Sequence, residues 1–537
     1  MLLLSYLPWK TFSVALIFLA SISACSSFSL LSPPTPFPYT SSTHTIKPTI
    51  LKTSTSTPLK IPTATTTIIS ETVFLPTETP TITETIFSWE VITPTPDIPR
   101  VLPTLRSESV EYVVKSGDTL NQIARGYTTS VQAIAEANQL EDINILQVGQ
   151  LLVIPPPDPQ ANAPGVKIIP DSELVFGPAS VDFDIEAFIQ DQGGYLAGYR
   201  EEIEDDELTG AEILERISRL YSVNPRLLLA LLEYQSRWVT QPDPEPGTLD
   251  YPLHNMSTRI TGLNQQLAWA ANELNRGYYL WRINALAAVS LADGTVVNMD
   301  ATINSGTAGV QLYFAQIYDL FAWEQAISPD GLLTVYTRLF GSPFAVAVEP
   351  LIPPALVQPP LELPFEPDKV WRYTGGPHGG WGNGSAWAAL DFAPPGEPLG
   401  CVQSDEWVVA VADGLIVRSE DGHVIQDLWG DGYEQTGWIV FYLHIETRHR
   451  VEAGVFLQAG ERVGHPSCEG GYSTGTHVHI ARRYNGEWIS ADGDLPFVME
   501  GWVPGSYGRP YYGYLIREGQ LIEAKTGLHP ENAIQRD

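Results

Sequence analysis

The sequence predicts a multidomain chain with three folded units: a small βααβ module at residues 108–157, an all-α domain at 208–345 and a mostly antiparallel β domain at 369–537. Length allows this, because 537 residues accommodate about two to four independent cores. Periodicity assigns the classes. Leu263, Leu267, Ala271, Leu274 and Tyr278 fall on one helical face. The last third instead carries short apolar runs broken by turn pairs, such as Val408-Val409-Ala410-Val411 ahead of Asp413-Gly414, and the hairpin signal Tyr484-Asn485-Gly486-Glu487.

Residues 1–25 read as an export signal, with Lys10 the sole charge ahead of an apolar stretch from Phe12 to Ala20. Ile22-Ser23-Ala24-Cys25 resembles the bacterial lipobox. That resemblance implies cleavage before Cys25, lipidation of its sulfur and a mature protein anchored to the cell membrane, facing the wall. An ordinary signal peptide is the competing reading. Residues 26–107 are rich in Thr, Pro and Ser, as in Pro76-Thr77-Glu78-Thr79-Pro80-Thr81, and lack useful periodicity. Such a segment buries too little apolar surface to offset its ordering, so it reads as a disordered stalk that supplies reach.

Within 108–157, Tyr112-Val113-Val114 is a strand and Gly117-Asp118-Thr119-Leu120 a turn into a helix. Ser130 to Asn138 is a second helix, and Leu151-Leu152-Val153-Ile154-Pro155 closes the unit as a strand. Gly117 permits the tight turn, and Asp118 or Thr119 can cap the helix that follows. This pattern, with Asn138 and Gly149-Gln150, resembles a LysM module. The resemblance implies binding of N-acetylglucosamine-containing glycans by loops that here hold Gly117, Asp118, Thr119, Leu140 and Ile143.

Residues 158–207 carry no assignable pattern and read as a linker. From 208 the chain is helical: Thr209 with Glu212 makes a capping box, and Asn224-Pro225 puts Pro at the first position of the next helix. The stretch from Tyr221 to Trp238, which contains Glu233-Tyr234-Gln235-Ser236, resembles the catalytic helix of lytic transglycosylases and so implies a lysozyme-like fold. That family places its acid/base Glu directly before the Ser, where this chain has Gln235. An amide cannot donate and recover a proton as a carboxyl does, and Glu233 lies about 200° around the helix. The expected middle domain therefore binds glycan or spaces its neighbours without cutting. Pro350, Pro353, Pro354, Pro359, Pro360 and Pro364 mark a stiff connector at 346–368.

The chemistry concentrates in the last unit. In Thr474-Gly475-Thr476-His477-Val478-His479 the two histidines are two residues apart, so on a strand both reach one site. Zinc takes neutral imidazoles and a carboxylate at about 2.0–2.2 Å, and a catalytic site keeps one position open. His378, Asp391 and one of the paired histidines would supply that set. The other paired histidine, together with His444 after the apolar run Trp438-Ile439-Val440-Phe441-Tyr442-Leu443, is left for proton handling and oxyanion stabilisation.

These residues resemble the lysostaphin-like zinc endopeptidases of bacterial cell walls over roughly 369–510. The resemblance implies that His378, Asp391 and His479 bind zinc and that His444 and His477 are catalytic. Most members carry the first ligand four residues before the Asp, where this chain has Trp387. The longer spacing from His378 is similar to the beta-lytic branch. His423, His449 and His465 have no matching role, and one of them would replace His378 if that assignment failed.

Cys401 and Cys468 remain as an even pair once Cys25 is acylated, so an exported chain suggests a disulfide between them. Two reduced, buried thiols are the competing reading. A net charge of −32 argues against nucleic acid, which needs clustered Lys and Arg. The expectation is a monomeric, exported, zinc-dependent endopeptidase that cuts peptide stems or cross-bridges of peptidoglycan and is targeted by its LysM module. A catalytically inactive wall-binding scaffold or activator of other hydrolases is the alternative.

Overall fold

The structure, a computed structural model, describes residues 99–204, 206–396 and 400–536. The signal peptide, Cys25 and the stalk up to residue 98 lie outside the described residues.

Strands Val110–Val113 and Leu151–Ile154 pair antiparallel, with Val110 opposite Ile154. Between them Thr119 caps helix Leu120–Gly126 in a full capping box with Gln122, and Ser130 caps Val131–Asn138. Leu120, Ile123, Ile134, Leu152 and Ile154 form the small core. This module sits directly on the middle domain: Arg125 donates to the side chain and carbonyl of Gln316, and Ser290 Oγ donates to the Thr129 carbonyl.

The middle domain is mostly helical, built on Gly210–Tyr221, Pro225–Ser236, Gly262–Arg282 and Ser305–Ala315. The all-α expectation is nonetheless corrected. Ala288–Ser290 and Val296–Asn298 form a hairpin around Asp293-Gly294, with Gly294 at φ 89°, and Ala161–Asn162 adds a parallel third strand. Asp-Gly between β-branched runs is a hairpin signal, here hidden among long helical repeats. Residues 158–207 are not a linker either. Ile168, Ile169, Leu174 and Val175 are buried in the same apolar cluster as the helices. Short turns near Pro170 and Pro178, then a helix Ile185–Gln192 capped by Asp184, leave little period to read.

The helix that suggested a transglycosylase is a core element, with ten of its twelve residues buried. Gln235 is buried and its Oε1 accepts from the Tyr318 hydroxyl at 2.6 Å. Glu233 accepts from the Thr240 main chain and hydroxyl and pairs with Arg338 at 2.7 Å. Both polar groups are committed to internal contacts.

The C-terminal domain is built on a nine-stranded antiparallel sheet. In spatial order its path runs Phe456–Leu457, Gly414–Glu420, His423–Asp427, Trp438–Leu443, Val478–Tyr484, Ala389–Ala393, Val370–His378 and Ala533–Gln535, with Glu487–Trp488 pairing off to the side. Residues such as Tyr373, Phe392, Val440, Tyr442 and Ile480 face one core, which takes in Leu361, Leu363 and Phe365 of the Pro-rich connector. That connector runs packed against the domain, with the Glu362 N–H donating to Val411 and the Val409 N–H to Pro364. On the opposite face Ala389, Ile425, Ile439, Phe441 and Ala481 join the apolar cluster of the helical domain. Helices and sheet therefore share one interior.

Charged contacts lock this junction. Glu434 is buried and pairs with Arg483 at 2.8 Å, Arg418 at 3.1 Å and Arg219 of the helical domain at 3.5 Å. Burial opposes its ionisation, but the three guanidinium groups outweigh it and bring its pKa down to about 2. A carboxylate whose pKa is depressed by folding stabilises the protein above its ordinary pKa and loses that contribution as pH falls towards the folded value. Glu434→Gln should cost about 3–5 kcal/mol at pH 7, as expected for breaking a buried pair. In thermal melts, the gap between variant and wild type should narrow from pH 5 down to about pH 2. A gap that stays constant over this range would show that Glu434 is not ionised in the folded state.

Candidate metal centre

The centre lies on the sheet face turned towards the helices. His479 stands directly opposite Asp391 across one antiparallel pair, and Gly375 stands opposite Asp391 across the other. Alternation puts the His479 and Asp391 side chains on the same face. His378, at the end of its strand, closes the group. Gly375 is required here, because a Cβ at that position would lie 2.3 Å from Asp391 Oδ2.

His378 Nε2, His479 Nδ1 and Asp391 Oδ1 form a triangle with sides of 3.0, 3.3 and 3.3 Å. All three residues are buried, and they are the one group of potential metal ligands among the described residues. The outer nitrogens are taken: His378 Nδ1 donates to the Gly376 carbonyl at 2.8 Å and His479 Nε2 to the Gly380 carbonyl at 3.0 Å. These bonds fix the tautomers so that the inner nitrogens carry lone pairs. Asp391 Oδ1 accordingly has no hydrogen-bond donor among the described residues. Three lone-pair atoms at such distances repel unless positive charge sits among them. Burial opposes ionisation of Asp391, but the imidazoles of His378 and His477 beside it outweigh that and hold its carboxyl well below the usual range. A dication would supply positive charge at the centre of the triangle. Donors about 2.0–2.2 Å from a tetrahedral ion stand about 3.3–3.6 Å apart, so the set fits zinc.

His477 and His444 stand beside this triangle. His477 is half-buried, with Nε2 3.7 Å from Asp391 Oδ1 and Nδ1 donating to the Gly475 carbonyl at 2.7 Å. His444 follows the Trp438–Leu443 strand in a left-handed turn, φ 65°, and its Nδ1 donates to the Glu469 carbonyl at 2.8 Å. The two rings are 4.5 Å apart. Burial, with His477 and His479 close by, brings the His444 pKa down to about 3, so it is neutral at physiological pH.

The other histidines lie elsewhere. His423 is buried against Trp381 and Phe441, and His449 and His465 contact each other and Trp407. None of them replaces His378. Sequence reasoning missed Tyr511, whose ring stacks on His378 at 4.1 Å. It also missed the orienting carbonyls, of which the only trace was the density of glycine around His378. Cys401 and Cys468 form a disulfide that closes a separation of 67 residues. In the LysM module Gly117, Thr119 and Ile143 are exposed, whereas Asp118 accepts from Tyr112 and the Lys115 main chain, and Leu140 packs on the module's core.

Comparison with known proteins places these units. The family model described as LysM domain matches residues 112–155, and that described as LasA, N-terminal domain, matches 167–354. The second match spans the region that the sequence had likened to a transglycosylase. The chain is similar to Protease LasA of Pseudomonas aeruginosa, at 27% identity over 352 residues, 62% of this chain and 78% of that one. It is also similar to N-acetylmuramoyl-L-alanine amidase XlyA of Bacillus subtilis, at 43% over 63 residues, 12% of this chain and 21% of that one. Among solved structures, the M23 metalloprotease pseudoalterin aligns at 24% identity, TM-score 0.27, over 32% of this chain and 99% of that one. The catalytic domain of lysostaphin from Staphylococcus simulans aligns at 23%, TM-score 0.17, over 22% and 87%.

Zinc added to chelator-stripped protein should bind with one equivalent, measured by calorimetry. Asp391→Ala or His479→Ala should weaken that binding by more than the about 10- to 100-fold typical of outer-shell changes, while His444→Ala should still take up one equivalent. Full-affinity binding by Asp391→Ala would overturn the ligand set.

Proposed function

We propose that this chain is a zinc-dependent endopeptidase that hydrolyses peptide stems or cross-bridges of peptidoglycan, exported, lipid-anchored and directed to the wall by its LysM domain. The observation that carries the reading is the common orientation of four imidazoles, each with its outer N–H on a main-chain carbonyl and its inner nitrogen turned towards Asp391 or its neighbours. A scaffold has no need of that arrangement. The similarity to Protease LasA and the LysM match support the substrate class.

His378, Asp391 and His479 would hold the ion. The chemistry a bound ion supplies is Lewis acidity, which polarises an amide carbonyl and acidifies water. The remaining work belongs to side chains. His444 is neutral, and the nitrogen it leaves free is a base, able to take a proton from water as the oxygen attacks the carbonyl carbon. His477, whose inner nitrogen is likewise free, shares that task. The imidazole that takes the proton becomes a donor, first to the developing oxyanion and then to the leaving amine as the C–N bond breaks. Tyr511, whose ring stacks on His378, stays protonated, because burial and the nearby Asp391 carboxylate raise its pKa.

Purified walls treated with residues 99–537 should release cut peptides without anhydro sugars, and a chelator should stop the release. His444→Ala or His477→Ala should lower kcat by about 10²- to 10⁴-fold while leaving zinc content unchanged. Fragments that carry anhydro sugars with intact peptides would sink the peptidase reading. Removing residues 108–157 should weaken action on whole walls more than on a short soluble peptide, because attachment raises the local peptide concentration. Equal losses on both would argue against targeting by the LysM domain.

A further inference from the structure

Arg372 is a cation on the active-site face that no carboxylate among the described residues neutralises. It stands opposite Ala393, which lies two residues beyond Asp391 on the neighbouring strand. Tyr373 and Phe392, the intervening residues, point into the core on the far side of the sheet, so alternation puts Arg372, Ala393 and Asp391 on one face. Arg372 lines a cavity of about 490 Å³ together with Thr374, Ala393 and Thr476, the residue before His477.

The carboxylates lining this cavity are already paired. Glu366 meets Arg462 at 2.9 Å, Glu406 meets Lys369 at 3.1 Å and Asp405 meets Arg448 at 2.8 Å. Arg372 donates only to the Trp371 carbonyl, at 3.3 Å, and its Nε is buried without an acceptor. A guanidinium is permanently charged and its forked donors match a carboxylate, so one held in a polar cavity without a counter-ion among the described residues is a receptor for an anionic group. Two residues of strand span about 7 Å, which is also the reach of one or two peptide residues.

We propose that Arg372 forms a subsite for a free carboxylate of the substrate peptide, carried one or two residues away from the amide that is cut. The inference rests on the peptidase reading above and adds a preference to it: peptides with a free acid at that position are favoured over their amidated forms. The remaining cations of the cavity, each neutralised by its own carboxylate, provide no second anion receptor.

The test uses the zinc-loaded full chain and the probe N-acetylglycylglycine, as the free acid and as the amide, with binding followed by calorimetry or NMR. The acid should bind about 10- to 100-fold more tightly than the amide, as expected for a charged hydrogen-bonded pair. Arg372→Gln should remove the difference, and Arg372→Lys should retain part of it. Equal binding of acid and amide by the wild-type chain, or a difference that survives Arg372→Gln, overturns the subsite. Cleavage of wall peptides supplied as acid and amide pairs separates the two readings. Acid-selective binding without any cleavage refutes the peptidase and leaves the subsite standing, whereas cleavage of both forms at equal kcat/KM refutes the subsite alone.

Discussion

The centre depends on main-chain carbonyls more than on the side chains they hold. Gly376, Gly380, Glu469 and Gly475 each accept the outer N–H of one imidazole. An imidazole in water exchanges tautomers and turns about its side-chain bonds, and a carbonyl at hydrogen-bond distance removes both freedoms. Four histidines fixed this way all turn bare nitrogens inward around a buried carboxylate whose Oδ1 has no donor among the described residues. Such a cluster is unfavourable in isolation, since lone pairs 3.0–3.3 Å apart repel. The surrounding fold holds it together, and a cation would relieve it.

Gly376 belongs to the Val370–His378 strand, whereas Gly380, Glu469 and Gly475 belong to loops, and these loops are fastened from outside the strands that carry the histidines. The Gly380 carbonyl lies in a segment pinned to the helical domain. Gly384 N–H donates to Asn272 Oδ1 at 2.9 Å, Asn272 Nδ2 donates to Asn383, and a Cβ at Gly384 would sit 2.0 Å from the Asn272 carbonyl. Trp381, in the same segment, lies between Tyr221 of the helices and His423 of the sheet. The orientation of His479 is thus tied to a domain that contributes no side chain to the triangle of His378, Asp391 and His479. The shared core explains why this tie is firm, because Ile425, Phe441 and Ala481 lie under the helices in the same cluster as Leu228 and Leu274.

Much of the centre was legible because a strand repeats every two residues and an antiparallel register places partners opposite each other. His477-Val478-His479 announced itself that way, whereas His378 and Asp391 were singled out by the resemblance to the lysostaphin-like peptidases and not by any local pattern. Tyr511 was not legible, because its approach to His378 depends on how distant strands stack, which no local pattern encodes. The Pro225–Ser236 helix misled for a physical reason. A helix buried on almost all sides and one that lines a groove both show leucine runs with an occasional acid or amide, and only the contacts of Glu233 with Arg338 and of Gln235 with Tyr318 distinguish them. Residues 158–207 were unreadable because their burial comes from single turns, each too short to show a period.

Fastening also divides by role. The segment from Ser467 to Gly475, which supplies the carbonyls for His444 and His477, is held by the Cys401–Cys468 disulfide and by a bridge between Gly400 and Gly475. Ser467 tightens it further, donating its N–H to the His444 carbonyl at 2.7 Å and accepting from the His477 N–H at 3.3 Å. His444 and His477 are therefore positioned by a covalent link inside the C-terminal domain. His479 is positioned instead through non-covalent contacts with the helices. A covalent tie survives thermal loosening of the domain junction, while contacts between domains open more readily than the core that each domain encloses. Loosening at the junction would therefore reach His479 before it reached His444 and His477.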